Sequence, residues 1–168
     1  MLHRRYAVRV TGARHTPTDV IALFAGDPNR GAPAEVAVFE KTRGEPGTLA
    51  VGDEFLIRMP GPWNGPVRVV ERADAGFRFA TLRGHLEAGQ IAFRCQGSGE
   101  GLLFEIESWA RSGDRLSSLL YNRLLLAKEI QLNLWVETCL RLAAATGGRL
   151  RGGVSVCTRR VPAACLES

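Results

Sequence analysis

Apolar and polar residues change their period twice along the chain. Arg5 to Val10 alternate, which predicts a short strand. At Thr16-Pro17-Thr18-Asp19 the pattern turns helical: Thr16 can cap, Pro17 suits a first turn, and Asp19 stands at the capping-box offset. Val20, Ile21, Leu23 and Phe24 give this short helix its apolar face, and it is expected to stop before Gly26. Two Pro and two Gly between Gly26 and Ala34 predict a loop.

From Glu35 the period becomes two. Glu35–Lys41, Asp53–Met59, Pro66–Arg72, Phe77–Leu82, Gln90–Gln96 and Leu102–Trp109 each read as a strand, with Gly-, Pro- and Asn-rich breaks between them. Connections this short favour antiparallel neighbours, because a parallel crossover needs about a dozen residues or more. The expected arrangement is a meander. Its last hairpin can be registered by hand. Ile91, Phe93 and Cys95 share a face with Leu102, Phe104 and Ile106 when Cys95 opposes Phe104. That register sets Arg94 against Glu105, Ala92 against Glu107 and Gln90 against Trp109, and it predicts an Arg94–Glu105 ion pair on the other face.

The period then returns to helical. Asp114 can cap a helix running to about Ala145, about 48 Å long at about 1.5 Å per residue. Arg115, Ser118, Asn122, Glu129, Asn133, Glu137 and Arg141 trace its polar stripe, and Leu116, Leu120, Leu124, Ala127, Leu134 and Leu142 its apolar one. Leu119, Leu126 and Leu140 blur the division, and Gly147-Gly148 closes the helix. So long an apolar stripe has to lie on something wide and apolar, and the sheet is the candidate.

Composition narrows the function classes. With 168 residues, 45% hydrophobic and 23% charged, the chain has material for one sizeable core. The net charge of +5 is concentrated at the end. Arg149, Arg151, Arg159 and Arg160 face only Glu167 there, which makes residues 148–168 a basic tail beyond a domain of residues 1–147. The body shows no clustered cations of the kind phosphate binding needs, so nucleic acid is not an expected partner. No apolar stretch follows Arg4-Arg5, and Arg123, Lys128, Glu129, Glu137 and Arg141 interrupt the long helix. A secretory signal and a membrane span are therefore not expected, and the chain reads as cytoplasmic, a monomer or homodimer. Cys95, Cys139, Cys157 and Cys165 form no C-x-x-C pair and read as isolated thiols, with a Cys157–Cys165 bridge as the alternative. His3, His15 and His85 have no metal-ligand spacing. Gly97-x-Gly99-x-Gly101 precedes a strand, so it makes a hairpin and not a dinucleotide cradle. No cofactor is implied.

The order of strand, short helix, antiparallel strands and long helix resembles the helix-grip architecture of the START-like superfamily of polyketide cyclases, lipid-transfer domains and pollen-allergen-like proteins. Residues Thr81 to Gly89 (TLRGHLEAG) and Phe104 to Ser112 (FEIESWARS) are similar to the bacterial and plant family filed as domain of unknown function nineteen-ninety. The likeness in arrangement covers about Tyr6 to Gly148, its specific motifs fall between Phe77 and Gln131, and the tail is outside it. It implies an α+β fold: a curved antiparallel sheet of about six or seven strands around the C-terminal helix, with a cavity between them. It supplies no catalytic residues.

Candidate chemistry is sparse. Gln131 stands in the apolar stripe between Ala127 and Leu134, where an amide needs partners or costs about 1–3 kcal/mol. It either bonds a sheet side chain or buried water, or anchors one end of an apolar ligand. Tyr121 and Lys128 lie at the stripe's edge, with water as the competing destination. His85, with Glu87 two residues on, can act as acid or base, or can serve the tight turn that Gly84 and Gly89 suggest. Glu105 and Glu107 stand about 7 Å apart on one strand face, a spacing compatible with paired-carboxylate chemistry but equally with a surface ion-pair network. They are expected to point outward. If that face instead lined the cavity, Arg94 and Trp109 would complete a polar wall. Ser108, Ser112, Asp114 and His85 lack the elbow motif of a triad hydrolase, and Trp63 is either a lid or part of the sheet rim.

Three roles follow. The first is binding of an apolar or amphipathic small molecule between sheet and helix. The second is a cyclase- or hydratase-type enzyme on a polyketide-like or isoprenoid-like substrate, which requires His85, Glu87, Glu105, Arg94 and Gln131 to converge. The third is an interaction protein whose Val154–Thr158 segment adds an edge strand to this or a second chain.

Overall fold

The alternation of residues 2–11 builds the strand on which the long helix rests. In the computed structural model, which describes residues 1–60, 64–85, 87–99, 101–111 and 118–162 and only the backbone of 118–128, this is β1 (Leu2–Thr11). Tyr6, Val8 and Val10 turn inward, and Arg5 and Arg9 turn out. α1 (Pro17–Gly26) follows. Asp19 N–H donates to Thr16 Oγ1 at 3.2 Å while Thr16 N–H donates to Asp19 Oδ2 at 2.8 Å, a complete capping box. An N-cap of this kind contributes about 1 kcal/mol. The expected loop contains one 3-10 turn at Pro28–Arg30.

β2 (Val38–Arg43), β3 (Glu54–Arg58), β4 (Asn64–Ala73), β5 (Gly76–Thr81), β6 (Ala88–Ser98) and β7 (Gly101–Arg111) pair in sequence as the antiparallel meander. The β6–β7 register sets Cys95 opposite Phe104, Arg94 opposite Glu105 and Gln90 opposite Trp109, as the alternation predicts. A shift of register between Val69 and Glu71 bends β4 and helps curve the sheet. β1 then pairs with β7 on the far side of the meander.

The sheet has nine strands, not six or seven. The additional two come from the basic C-terminal segment: β8 (Arg149–Leu150) and β9 (Ser155–Arg160) both pair antiparallel with β1, Val10 opposing Leu150 and Tyr6 opposing Val156. With every β9 residue exposed, the alternation of buried and exposed residues that marks other strands is missing here.

α2 (Ser118–Ala145) packs on the face of β1 and β7. Leu134 and Leu142 are buried and Asn133 and Arg141 are exposed, as the two stripes predict, and Trp135, Thr138, Cys139 and Ala143 are buried beside them. The expected cap Asp114 and the residues up to 117 lie outside the described residues. Seven aromatic rings fill the space beneath: Phe93 stacks on Phe77 at 4.7 Å and meets Phe24 at 5.1 Å and Trp135 at 5.5 Å, with Phe79, Phe55 and Phe39 continuing toward the far edge. This aromatic filling closes most of the interior. No helix among the described residues is long and apolar enough to cross a membrane.

Candidate functional site

Inward-facing residues of the middle strands and one turn of α2 leave a partly open cavity of about 70 Å3. Ile57, Met59, Val67, Ile91, Leu134 and Trp135 form its apolar wall. His85, Glu87, Gln131, Ser108 and Thr81 supply the polar side. Its position follows from the fold: the aromatic cluster fills much of the concavity, and the cavity opens beside it at the β5–β6 connection. A space this size takes a few waters or the end of a ligand, well below the about 300–1,000 Å3 that enclose a drug-sized molecule.

The β5–β6 connection shapes the polar side. Gly84, at φ +99°, makes the turn that Gly permits. His85 Nδ1 accepts the Glu87 N–H at 3.1 Å, so the histidine satisfies the turn's backbone and also faces the cavity. Burial holds its pKa below the ordinary value. Gly89 does not serve the turn through an unusual dihedral. A side chain there would strike the Trp109 carbonyl at 2.0 Å, so the residue is needed for close approach of β6 to β7.

Behind the cavity lies a second buried group that sequence reasoning missed. Tyr6 is fully buried. Burial raises its phenol pKa, an Arg4 hydrogen bond and the Arg4 charge oppose this, and Cys139 and Glu87 add to the rise. Phenol and guanidinium therefore meet on β1, near enough to Cys139 of α2 and to Glu87 for both to act on the phenol. In the sequence, Arg4 belongs to an ordinary alternating strand and carries no motif. Its inward direction would have been legible only from its parity with Tyr6, Val8 and Val10.

The outer face of the sheet is different in kind. Glu105 and Glu107 point outward there. Glu105 pairs with Arg5, while Glu107 lies 3.8 Å from Arg94 and 3.4 Å from His3. Register places Arg94 opposite Glu105, but the arginine reaches diagonally to Glu107 because Arg5 on β1 occupies Glu105. The Trp109 ring stacks on His3 at 5.1 Å and carries the Arg78 guanidinium at 5.9 Å, while the residue also borders the inner cavity. A depression of about 410 Å3 on this face is walled by His3, Arg5, Arg94, Glu105, Glu107, Cys157 and Arg159. It is larger than the inner cavity, but its carboxylates already meet cations and it offers little apolar surface. Of the candidates, the cavity thus gathers His85, Glu87 and Gln131, and the sheet separates them from Arg94 and Glu105. The five-residue convergence does not form. Trp63 and Tyr121 lie outside the described side chains, as do Lys128 and Cys165.

The sequence profile of the domain of unknown function DUF1990 matches residues 29–136, which contain both the cavity and the meander. The chain belongs to the DUF1990 family. No protein with a curated description matches this DUF1990 chain in sequence. Among solved structures it is similar to ginseng major latex-like protein 151 from Panax ginseng, at 14% identity and TM-score 0.57, over 87% of this chain and 99% of that one. It is similar to Ara h 8.0201 at 8% identity and TM-score 0.56, over 87% and 98% of the two chains. A protein from Thermobifida fusca matches at 12% identity and TM-score 0.62, over 86% and 93%. These likenesses establish the helix-grip fold of the DUF1990 protein.

Proposed function

We propose that this DUF1990 domain binds an apolar or amphipathic small molecule whose polar end enters the cavity between the sheet and α2. One observation carries the reading: an apolar wall with the polar groups of His85, Glu87 and Gln131 grouped together, inside a fold whose concavity is otherwise filled by aromatic rings. A pocket that is mostly apolar, with a few convergent polar groups, has the composition of a small-molecule site. The cavity's size supports a short or protruding ligand, with any longer tail lying along the opening. Gln131 anchors the polar end, which accounts for an amide in an apolar stripe.

The enzymatic alternative, a cyclase or hydratase, keeps only His85 and Glu87 of its acid–base set near Gln131, since Arg94 and Glu105 face away. Binding is therefore the better-supported role. Native mass spectrometry of gently purified protein, with extraction of copurified compounds, tests it. A retained apolar compound that Gln131→Leu and Trp135→Ala both weaken is the expected result. A ligand-free protein that shows no shift of Trp135 resonances with any short apolar probe would overturn it.

A further inference from the structure

The positive charge that the sequence concentrates after residue 148 is laid along β1 by β8 and β9. In the register that sets Thr11 against Arg149 and Val10 against Leu150, Arg151 falls opposite Arg9, and its N–H donates to the Arg9 carbonyl at 2.9 Å. β9 then sets Cys157 against Arg5 and Arg159 against His3. Opposed residues of a ladder share a face, so Arg149, Arg151 and Arg159 join Arg5 and Arg9 on the outer side of the sheet. All five are exposed. The stripe runs from the His3 row to the Thr11 row of β1, about 26 Å at about 3.3 Å per residue.

Most of this charge is uncompensated. Arg5 is held by Glu105, and Arg9 donates to Ser98 Oγ at 2.8 Å. Arg149, Arg151 and Arg159 meet no carboxylate among the described residues. Apart from Glu105 and Glu107, no outward position of β1, β7, β8 or β9 is acidic. At each end of the stripe neighbouring rows stand about 7 Å apart, inside the screening length of about 8 Å at physiological salt, so their fields add. The face is also bare of large apolar side chains. Leu150 and Val156, which are exposed, share the parity of Val10 and Tyr6 and belong to the other side.

We propose that this stripe docks the protein, outer face first, on the surface of an anionic lipid bilayer. Its length exceeds that of any single small anion, so the occupant is extended. The sheet curves round α2, which makes the outer face convex. A stiff duplex would meet such a face at few phosphates, whereas lipids diffuse sideways and gather beneath fixed cations. A single strand of nucleic acid draws on aromatic rings free to stack on its bases. On this face Trp109 already carries the His3 ring at 5.1 Å and the Arg78 guanidinium at 5.9 Å. A protein partner would need an apolar anchor, which the stripe lacks. The inference uses no residue of the cavity and stands apart from the binding role proposed above.

Co-sedimentation of the full chain with phosphatidylcholine vesicles, with and without about one-third phosphatidylserine, tests this at about 0.1 M NaCl. The expected result is binding to the serine-containing vesicles alone, weakening as salt is raised. A cation near a charged bilayer strengthens binding about five-fold, so the triple variant Arg9→Gln, Arg149→Gln, Arg151→Gln should lose about a hundred-fold. Arg159→Gln and Arg160→Gln remove the same charge from adjacent positions, but Arg160 opposes Leu2 and takes the other face. The first should weaken binding about five-fold and the second less than about two-fold. Should the triple variant fail to fold, this pair decides. Equal losses from the two would make net charge responsible instead of the stripe and would overturn the inference, as would vesicles of both kinds left unbound. A single-stranded oligothymidylate that displaces the protein from charged vesicles at the same salt would assign the stripe to nucleic acid and overturn it too.

Discussion

His85 does two jobs with one ring, closing a turn through Nδ1 and bordering the cavity through its other edge, and its titration exposes both. Its pKa is depressed in the folded state, so below about pH 6.5, the ordinary histidine value, the unfolded chain takes up a proton that the native one refuses. Stability contributed by the neutral ring is complete above that pH and declines as pH falls toward the depressed value. Urea melts at pH 7.5 and 5.5 should show a larger loss in the wild type than in His85→Gln. A Cβ on Gly65 would lie 2.9 Å from both Nε2 and Cδ2 of His85, so Gly65→Ala should force the ring from its seat and move the imidazole pKa back up, read by NMR titration of its Cε1–H. Burial pushes the Cys95 thiol up to about 11 and Cys139 to about 12, whereas Cys157 is exposed. In a Cys165→Ser background, a thiol reagent should label Cys157 in the native protein and reach Cys95 and Cys139 only after unfolding. Gln131 was legible as an anomaly because an amide interrupts an apolar stripe. The direction of Arg4 could be read from parity but its partner could not, because the strand shows the parity of its side chains and not that a cation at this position meets a buried phenol.

At the scale of elements, the meander was readable wherever one face is buried and the other is wet. Two apolar sets on β6 and β7 fix the parity of the register, since a slip of one residue would put Glu105 and Glu107 into the aromatic core, and the short turn between the strands selects the register within it. β9 is the edge strand expected of Val154–Thr158, added to this chain, but its partner β1, about 150 residues away, was not readable by the same logic, because all six residues of β9 are exposed. Its place depends on free backbone groups along β1, which hydrophobic pattern does not encode. The contribution of β9 is accordingly in hydrogen bonds, each a net of about 0.5–1.5 kcal/mol before the entropy of ordering the segment. Deleting residues 154–168 should lower Tm by only a few degrees, but speed hydrogen exchange at alternate amides of Leu2–Ala7 while those of β6 and β7 stay protected. The charge excess that suggests a solvated tail is compatible with this strand, since an edge with arginines on it resists further pairing.

For the molecule as a whole, the position of the cavity is a consequence of where the rings are. Phe93 touches Phe24, Phe77, Phe79 and Trp135, joining α1, the sheet and α2 in one contact set. Phe93→Ala should cost about 3–5 kcal/mol in a urea melt, and it should also enlarge the space under Trp135 enough to admit bulkier apolar probes. Fold class was legible from the order of periods alone; the volume left for a ligand was not, because seven rings can pack a concavity shut or leave it open with the same alternation. The placement of β1 also has a kinetic side. Its neighbours are β7 on one flank and β8 with β9 on the other, the nearest of them about a hundred residues downstream. At a synthesis rate of about 5–20 residues per second, β1 waits about 5–20 s for a mate, its inward valines and Tyr6 bare throughout. A chaperone that holds extended segments with bare apolar side chains could grip this nascent chain at residues 2–11, and would be displaced when β7 arrives.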